Sequence, residues 1–243
     1  MSLVFARIIF FASVSLNYDS IPNDSIDWLS SNMALYHSIA WPADKPVFEA
    51  FDAAVAGYHA LQDSLGVFDR DVVTIIDFSQ PSTVRRLWVI DLRSKEVLLN
   101  TLVAHGRNSG IAMATHFSNK HESLQSSLGF YRTGQTYLGR HGISLLLHGL
   151  EPGINDHARS RAIVVHGADY VSDRYIQVAG RLGRSQGCPA VPMEDHRKLI
   201  ETIKGQTCLF IYAPVEEYAS RSKLHIQFSN SHRVVNATAS QRF

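Results

Sequence analysis

Apolar side chains in the N-terminal part of the chain recur every three or four residues, which is the spacing of one helix face. Pro46 suits the first turn of such a helix, and Gly66 suits its C-terminal end. The positions that share the apolar face are Phe48, Phe51, Val55, Tyr58, Leu61 and Leu65. We therefore predict a helical segment over residues 21–68, with this face packed on a core.

From Asp71 onward the pattern changes to short apolar runs separated by turn residues, which is typical of strands. The predicted strands are 72–77, 87–92, 97–105, 144–147, 162–165 and 209–212. A further helix is predicted from Met193 to Lys204, followed by Gly205 as a stop. Residues 69–216 thus form one strand-rich domain, and the polar, weakly patterned residues 217–243 form a peripheral tail.

The charges of the chain are balanced and its N-terminus is apolar. Lys and Arg number 23 against 22 Asp and Glu, so the chain has no large basic field and we expect no nucleic-acid partner. Arg7 precedes an apolar stretch over residues 8–16, which is shorter than the ~20 residues needed to span a bilayer. The stretch suits a signal peptide over residues 1–20, or a buried strand or short helix. We therefore do not expect an integral membrane protein.

Two cysteines cannot build a disulfide framework, and their surroundings differ. Cys188 lies in a glycine-rich polar stretch, whereas Cys208 begins an apolar run that ends at Tyr212. This contrast predicts one reactive thiol, Cys188, and one packed thiol, Cys208. A single disulfide between them is the alternative.

The stretch around Cys188 has the features of a tight turn that presents a nucleophile. Gly187 permits backbone conformations and close approaches that a Cβ would forbid, and Pro189 fixes the exit of the turn. The backbone amides of Gln186, Gly187 and Cys188 can point at one position and form an oxyanion hole. Gly-Cys-Pro also occurs in inert turns.

A histidine at a strand end supplies the base that a thiol needs near neutral pH, because a free cysteine is then mostly protonated. The predicted strand 162–165 leads into His166 and Gly167, which lie 22 residues before Cys188. A purely structural histidine is the alternative. His105 and His148 also precede glycine and are alternative bases.

Taken together, His166-Gly167 and Ser185-Gln-Gly-Cys188 resemble the signature of the L,D-transpeptidase (YkuD-like) family. Longer stretches of the sequence resemble the murein branch of that family. The resemblance covers about residues 71–213. Its matching stretches are residues 74–79, 103–110, 126–131, 166–170 and 183–190.

This resemblance implies a mainly β (α+β) catalytic domain, a β-sandwich or barrel preceded by a small helical segment. It implies that Cys188 attacks a peptidoglycan stem peptide and releases terminal D-Ala, and that His166 takes the thiol proton. Gly167 would orient the imidazole through its carbonyl, and Ser185 would shape the loop. Much of the wider family has histidine where this chain has Gln186, so no role of that histidine is transferred.

Several further residues are candidates for binding the carboxylates of such a substrate. Arg181 and Arg184 flank the nucleophile and can hold a carboxylate, or else bind backbone carbonyls. Tyr131 and His148 are further substrate-binding candidates, although Tyr131 also suits ordinary packing. Despite 12 histidines, the chain has no His-Glu-x-x-His or paired Cys-x-x-Cys motif, so we expect no metal and no cofactor.

The resemblance leaves several functions open. An L,D-transpeptidase would pass the acyl group to an amine of a neighbouring stem, whereas an L,D-carboxypeptidase would use water with the same residues. A wall-binding module with a degenerate site is a third interpretation, and a papain-type protease would place its cysteine before its histidine. We expect a monomer located in the periplasm or secreted, or in the cytoplasm if it acts on recycled muropeptides.

Overall fold

The computed structural model describes residues 23–140 and 142–224. The stretch predicted as a signal peptide, residues 1–20, lies outside the described residues. The predicted helical segment consists of two helices, α1 (Asn23–Ser38) and α2 (Phe48–Leu65). Pro46 lies before α2, not in its first turn, because Val47 is the residue that caps the helix. Gly66 ends α2 in the left-handed conformation with φ 56°, which favours glycine.

The face predicted for α2 packs on the sheet. Phe51, Val55, Tyr58 and Leu61 are buried, whereas Leu65 is exposed. Gly57 allows close packing, because a Cβ there would lie 2.0 Å from the ring of Phe130. None of the helices among the described residues has both the length and the apolar character needed to cross a bilayer.

Within residues 23–140 and 142–224, eight strands form one mixed sheet in the order β3-β2-β1-β8-β4-β5-β6-β7. Their bounds are β1 Val72–Asp77, β2 Leu87–Asp91, β3 Glu96–Thr101, β4 Gly129–Gly139, β5 Gly142–Gly149, β6 Val164–Gly167, β7 Ala190–Val191 and β8 Cys208–Tyr212. The remaining helices are α3 Asp173–Ala179, α4 His196–Ile203 and α5 Glu216–Arg221.

The two edges of this sheet meet. Just beyond β3, Ala104 pairs with Ala190 of β7, and its amide donates to the Ala190 carbonyl at 2.8 Å. Closing a sheet in this way removes exposed strand edges, and the fold is nearly a barrel. The prediction of a mainly β domain preceded by a small helical segment is confirmed.

Two elements carry no clear sequence signal. The first half of β4 is buried and its second half is exposed, so its apolar pattern changes along the strand. The helix α3 has no buried residue and therefore no apolar face that periodicity can detect. Ser172 caps it by accepting a hydrogen bond from the Tyr175 amide at 3.2 Å.

The beginning of the predicted tail belongs to the folded body. Tyr218 of α5 is buried, and its hydroxyl donates to a carboxylate oxygen of Glu151 at 3.1 Å. The hydroxyl of Ser222 also donates to Glu151. Residues 217–222 are therefore anchored and not peripheral, while residues 225–243 lie outside the described residues.

Candidate active site

Residues 185–190, which we call the nucleophile loop, lie between two backbone segments. On one flank, the Ser185 amide donates to the His105 carbonyl at 2.9 Å. On the other flank, the His166 amide donates to the Pro189 carbonyl at 3.4 Å, and the register pairs His166 with Ala190. Cys188 therefore lies two residues before Ala190, the residue that pairs with His166.

The side chain of Ser185 closes the turn that presents Cys188. Its hydroxyl donates to the Cys188 carbonyl at 2.6 Å and accepts from the Gly187 amide at 3.0 Å. This bond engages the Gly187 amide, which corrects the prediction that it belongs to an oxyanion hole. The amides of Gln186 and Cys188 make no hydrogen bond within the described part of the chain. These two amides remain the candidates for the predicted oxyanion hole.

Gly187 must be glycine for two reasons. Its φ is +121°, in a region that residues with a Cβ rarely adopt. A Cβ there would also lie 2.7 Å from the Gln125 carbonyl oxygen. The sequence predicted a close backbone approach at Gly187, and the structure shows that the approaching group is Gln125.

The thiol of Cys188 is half-buried and lies at the start of β6. Its Sγ donates to the Ala162 carbonyl oxygen at 3.6 Å. Burial raises the pKa of the Cys188 thiol, although a hydrogen bond from the Val164 amide and the charge of Arg161 oppose the rise. The resting group is therefore a protonated thiol that needs a base for attack.

Cys208 differs from Cys188 as the sequence predicted. It is fully buried on β8, and burial raises its pKa far above the usual range. Both cysteines are free thiols, so the alternative of a disulfide between them is wrong.

His166 is buried at the end of β6, on the strand that the Cys188 thiol contacts. Its Nδ1 lies 3.0 Å from the Gly167 carbonyl oxygen. Because a carbonyl oxygen only accepts, Nδ1 carries the hydrogen and Nε2 carries the lone pair of the neutral ring. The Val164 amide lies beside the thiol, two residues before His166 on the same strand. Two residues along a strand span about 6.6 Å, a distance that the side chain of His166 can largely cover.

Gly167 has a packing role besides its carbonyl. A Cβ there would lie 2.7 Å from the sulfur of Met193 and 2.9 Å from the ring of His196. The glycine thus lets the segment before α4 approach the end of β6. This close approach fixes the strand end from which the His166 ring projects.

The alternative base His105 is buried behind the nucleophile loop. Its Nδ1 accepts a hydrogen bond from the Arg86 guanidinium at 2.8 Å. Burial, together with the charge of Arg86, lowers the pKa of His105 to about 4. His105 is therefore a neutral ring bonded to a buried arginine, and its contacts are those of a supporting residue.

The other alternative base, His148, lies on β5 in register with Arg132 of β4. Its ring lies over Gly134, where a Cβ would be 2.7 Å from Nε2. β4 borders β5 on the side away from β6. The ring therefore lies on the side of β5 that faces away from the strand that carries His166.

The substrate-binding candidates have other contacts. Arg184 donates to the carbonyls of Arg107 and Gly110 at 3.0 and 2.9 Å, and Arg181 donates to the Leu182 carbonyl at 2.7 Å. Both arginines thus bind backbone carbonyls, which is the alternative that the sequence left open. Tyr131 does not line a cleft, because it is fully buried and its hydroxyl donates to the Ser127 carbonyl at 3.0 Å.

Two residues near the thiol were not singled out from the sequence. Tyr170 packs on Gly183, and burial, followed by the Cys188 charge, raises its pKa to about 12. Arg161 precedes β6, and its guanidinium would lie 3.3 Å from a Cβ at Gly187. Tyr170 belongs to a stretch matched by the resemblance, whereas Arg161 lies in a loop together with Arg159 and belongs to no motif that the sequence shows.

The described residues contain no group of three histidine, cysteine, aspartate or glutamate side chains that could hold a metal ion. The site consists of a half-buried thiol on a glycine turn, a strand-end imidazole of defined tautomer, and two amides that make no hydrogen bond to any residue the structure describes. These are the parts of a cysteine–histidine site for nucleophilic catalysis.

The family model of the L,D-transpeptidase catalytic domain matches residues 43–212. The match includes α2, all eight strands, Cys188 and His166. It covers more than half of the chain, and the protein belongs to this family.

Comparisons with single proteins are weaker. Among curated proteins none matches the chain. A solved L,D-transpeptidase from Mycobacterium smegmatis is 11% identical, with a TM-score of 0.37 and 59% of each chain covered. The LD transpeptidase LdtMt1 in complex with imipenem is 10% identical, with a TM-score of 0.36 and the same coverage. The Ldtfm-avibactam carbamoyl enzyme is 11% identical, with a TM-score of 0.34, and 50% of its chain is covered.

The chain thus spans about half to three fifths of the solved structures that it resembles. The family assignment rests on the family model, not on these three structures.

Proposed function

We propose that this protein is an L,D-transpeptidase that acts on peptidoglycan stem peptides through a thioester on Cys188. The observation that supports the proposal is the hydrogen bond between the nucleophile loop and β6, with the Cys188 Sγ 3.6 Å from the Ala162 carbonyl oxygen just before that strand and His166 near its end. The proton on His166 Nδ1 is held by the Gly167 carbonyl at 3.0 Å, so Nε2 has the lone pair required of a base.

In the acylation step, His166 Nε2 takes the thiol proton as Sγ bonds to the carbonyl carbon of the residue before terminal D-Ala. The negative charge on the former carbonyl oxygen is met by the amides of Gln186 and Cys188, which make no competing hydrogen bond within the described residues. The carbon–nitrogen bond then breaks. D-Ala leaves with the proton from His166, and a thioester remains.

In the second step, an amine of a neighbouring stem attacks the thioester carbonyl. His166 takes a proton from the amine, the carbon–sulfur bond breaks, and the Cys188 thiolate recovers a proton. The product is a new amide that cross-links two stems. With water as the acceptor, the same steps release a shortened peptide, which is the carboxypeptidase alternative.

The raised pKa of Cys188 explains why a base is needed in this site. Burial disfavours the free thiolate before substrate arrives, so the proton has to move to His166 as the new bond forms. A positioned general base contributes roughly 10²–10⁴-fold to such a step. We also propose that the protein is exported, because cross-linked peptidoglycan lies outside the cytoplasmic membrane.

The acylation step is tested by single-turnover reaction with a disaccharide-tetrapeptide, followed by intact-protein mass spectrometry. We expect His166→Ala to slow thioester formation by about 10²–10⁴-fold. His148→Ala is the matched control, because its ring lies over β4, and it should keep the wild-type rate. If His148→Ala loses the activity and His166→Ala keeps it, the assignment of the base is wrong.

A further inference from the structure

Arg161 binds a single loop with both ends of its guanidinium group. Its Nη1 donates to the Ser118 carbonyl at 2.8 Å and to the Ser127 hydroxyl at 2.5 Å. Its Nη2 donates to the Gln125 carbonyl at 2.6 Å and to the Ser123 hydroxyl at 3.3 Å. We call residues 118–127 the serine loop. Arg161 thus cross-links the two arms of this loop.

All four acceptors of Arg161 are neutral. No carboxylate of the described residues lies within ion-pair distance of its guanidinium. The positive charge of this half-buried side chain is therefore balanced only by the dipoles of its acceptors. An uncompensated charge in such a position acts strongly on ionisable groups nearby.

The serine loop in turn holds the residue before the nucleophile. The Ser126 hydroxyl donates to the Gly187 carbonyl at 3.1 Å and accepts from the Gly106 amide at 3.0 Å. The Gln125 carbonyl, which accepts from Arg161, packs against Gly187 so closely that no Cβ fits there. Arg161 is thus joined to Gly187 both by direct packing and through two residues of the loop.

The charge of Arg161 acts on the thiol itself. It lowers the pKa of Cys188 against the larger effect of burial. Burial lowers the pKa of Arg161, and the charges of Tyr131 and of the Cys188 thiolate oppose that fall. Arg181 and Arg184 are nearer to Cys188 in sequence, but their charges act on His105. Among the described arginines, Arg161 is therefore the one whose position suits the developing negative charge on sulfur.

We propose that Arg161 is a positioning residue for the nucleophile. It fixes the serine loop against Gly187 and places a positive charge beside Cys188, where the attacking sulfur becomes negative. This inference rests on the proposed role of Cys188 as nucleophile. It adds a function for a residue outside the Cys188–His166 pair.

The test is the rate of Cys188 alkylation by iodoacetamide as a function of pH, which requires no peptidoglycan. In Arg161→Gln the positive charge is lost, and we expect the pKa of alkylation to rise by about one unit or more. At neutral pH this corresponds to about a tenfold slower reaction, because the rate follows the thiolate fraction. Arg70→Gln is the matched control. Arg70 also donates to two backbone carbonyls, those of Thr202 and Lys204, but does not contact the site, so its variant should keep the wild-type profile.

Arg161→Lys separates the effect of the positive charge from that of the hydrogen bonds to the serine loop. It also tests the role of the charge if the glutamine variant does not fold. Lysine keeps the charge but cannot span four acceptors in a planar fork, so we expect the alkylation pKa to stay within about half a unit of the wild type. A glutamine variant that melts at lower temperature with an unchanged alkylation pKa would overturn the proposal. A lysine variant whose pKa rises by a full unit would overturn it as well.

The same assay distinguishes failure of this inference from failure of the proposed function. If wild-type Cys188 is not alkylated in preference to Cys208, the proposed nucleophile is wrong. If Cys188 reacts but Arg161→Gln leaves its pH profile unchanged, only the role of Arg161 is wrong.

Discussion

The buried pair of Arg86 and His105 beneath the nucleophile loop should make the protein sensitive to mild acid. His105 is 1% exposed, and its Nδ1 accepts from the Arg86 guanidinium at 2.8 Å. Arg86 is itself fully buried and also donates to the carbonyls of Gln80 and Val103. Protonation of His105 would remove the acceptor and place a second positive charge against the first.

The sign and size of the effect follow from the pKa of His105. Folding lowers this pKa from the ordinary value of 6.5 to about 4, so between these values the unfolded state binds the proton more tightly. The stabilisation is therefore complete above pH 6.5 and is lost as the pH falls towards 4. Each tenfold change in proton affinity corresponds to about 1.4 kcal/mol. The free energy of unfolding is therefore lower by about 3 kcal/mol at pH 4 than above pH 6.5.

The prediction is tested by urea unfolding of the wild type and His105→Gln at pH 7.5 and pH 4, followed by the fluorescence of buried Trp88. Glutamine keeps an acceptor for Arg86 but does not titrate. Other titrating groups are present in both proteins and cancel in the difference. Between pH 7.5 and pH 4, we expect the free energy of unfolding to fall by about 3 kcal/mol more in the wild type than in His105→Gln. Equal shifts for the two proteins would refute this account of the Arg86–His105 pair.

Further predictions concern the loop and the thiols. Gly187→Ala should lower thermal stability by roughly 1–3 kcal/mol, because the positive φ and the contact with Gln125 both oppose a Cβ; a melting temperature equal to the wild type would contradict this. Arg184→Ala should lower the melting temperature while KM stays within about twofold, since its guanidinium binds backbone carbonyls; a tenfold rise in KM at unchanged stability would restore the substrate role. Native protein treated with iodoacetamide should be labelled at Cys188 well before Cys208, and peptide mass spectrometry showing equal labelling would overturn that assignment.

Much of the fold could be predicted from the sequence, because local patterns carry its main elements. The strand β1 has the predicted bounds, and β2 and β8 each differ by a single residue at one end. Their apolar runs are buried on both sides of the sheet and need no long-range information. The strand β4 could not be found in this way, because its exposed second half and its glycines interrupt the apolar pattern.

The candidate site was partly predictable for a different reason. Ser185, Gly187 and Cys188 are close in sequence, so the turn that joins them is a local feature, and the His166–Gly167 pair is local as well. The role of Arg161 depends on the serine loop, about 40 residues earlier in the chain, and on its packing against Gly187. Contacts between residues so far apart in the chain arise from the closed sheet, and no local sequence pattern predicts them. The same holds for Tyr131, whose burial follows from its place on β4.

The proposed function requires Cys188 and His166 to perform acyl transfer on a stem peptide. It is tested most directly by incubating the protein with a purified disaccharide-tetrapeptide and identifying the products by mass spectrometry, with Cys188→Ala as the control. From the wild type we expect a cross-linked dimer together with released D-Ala, and from the Cys188→Ala variant neither product. Tripeptide without dimer would assign the carboxypeptidase alternative to the same residues. An unchanged tetrapeptide, or turnover that persists in Cys188→Ala, would contradict the account.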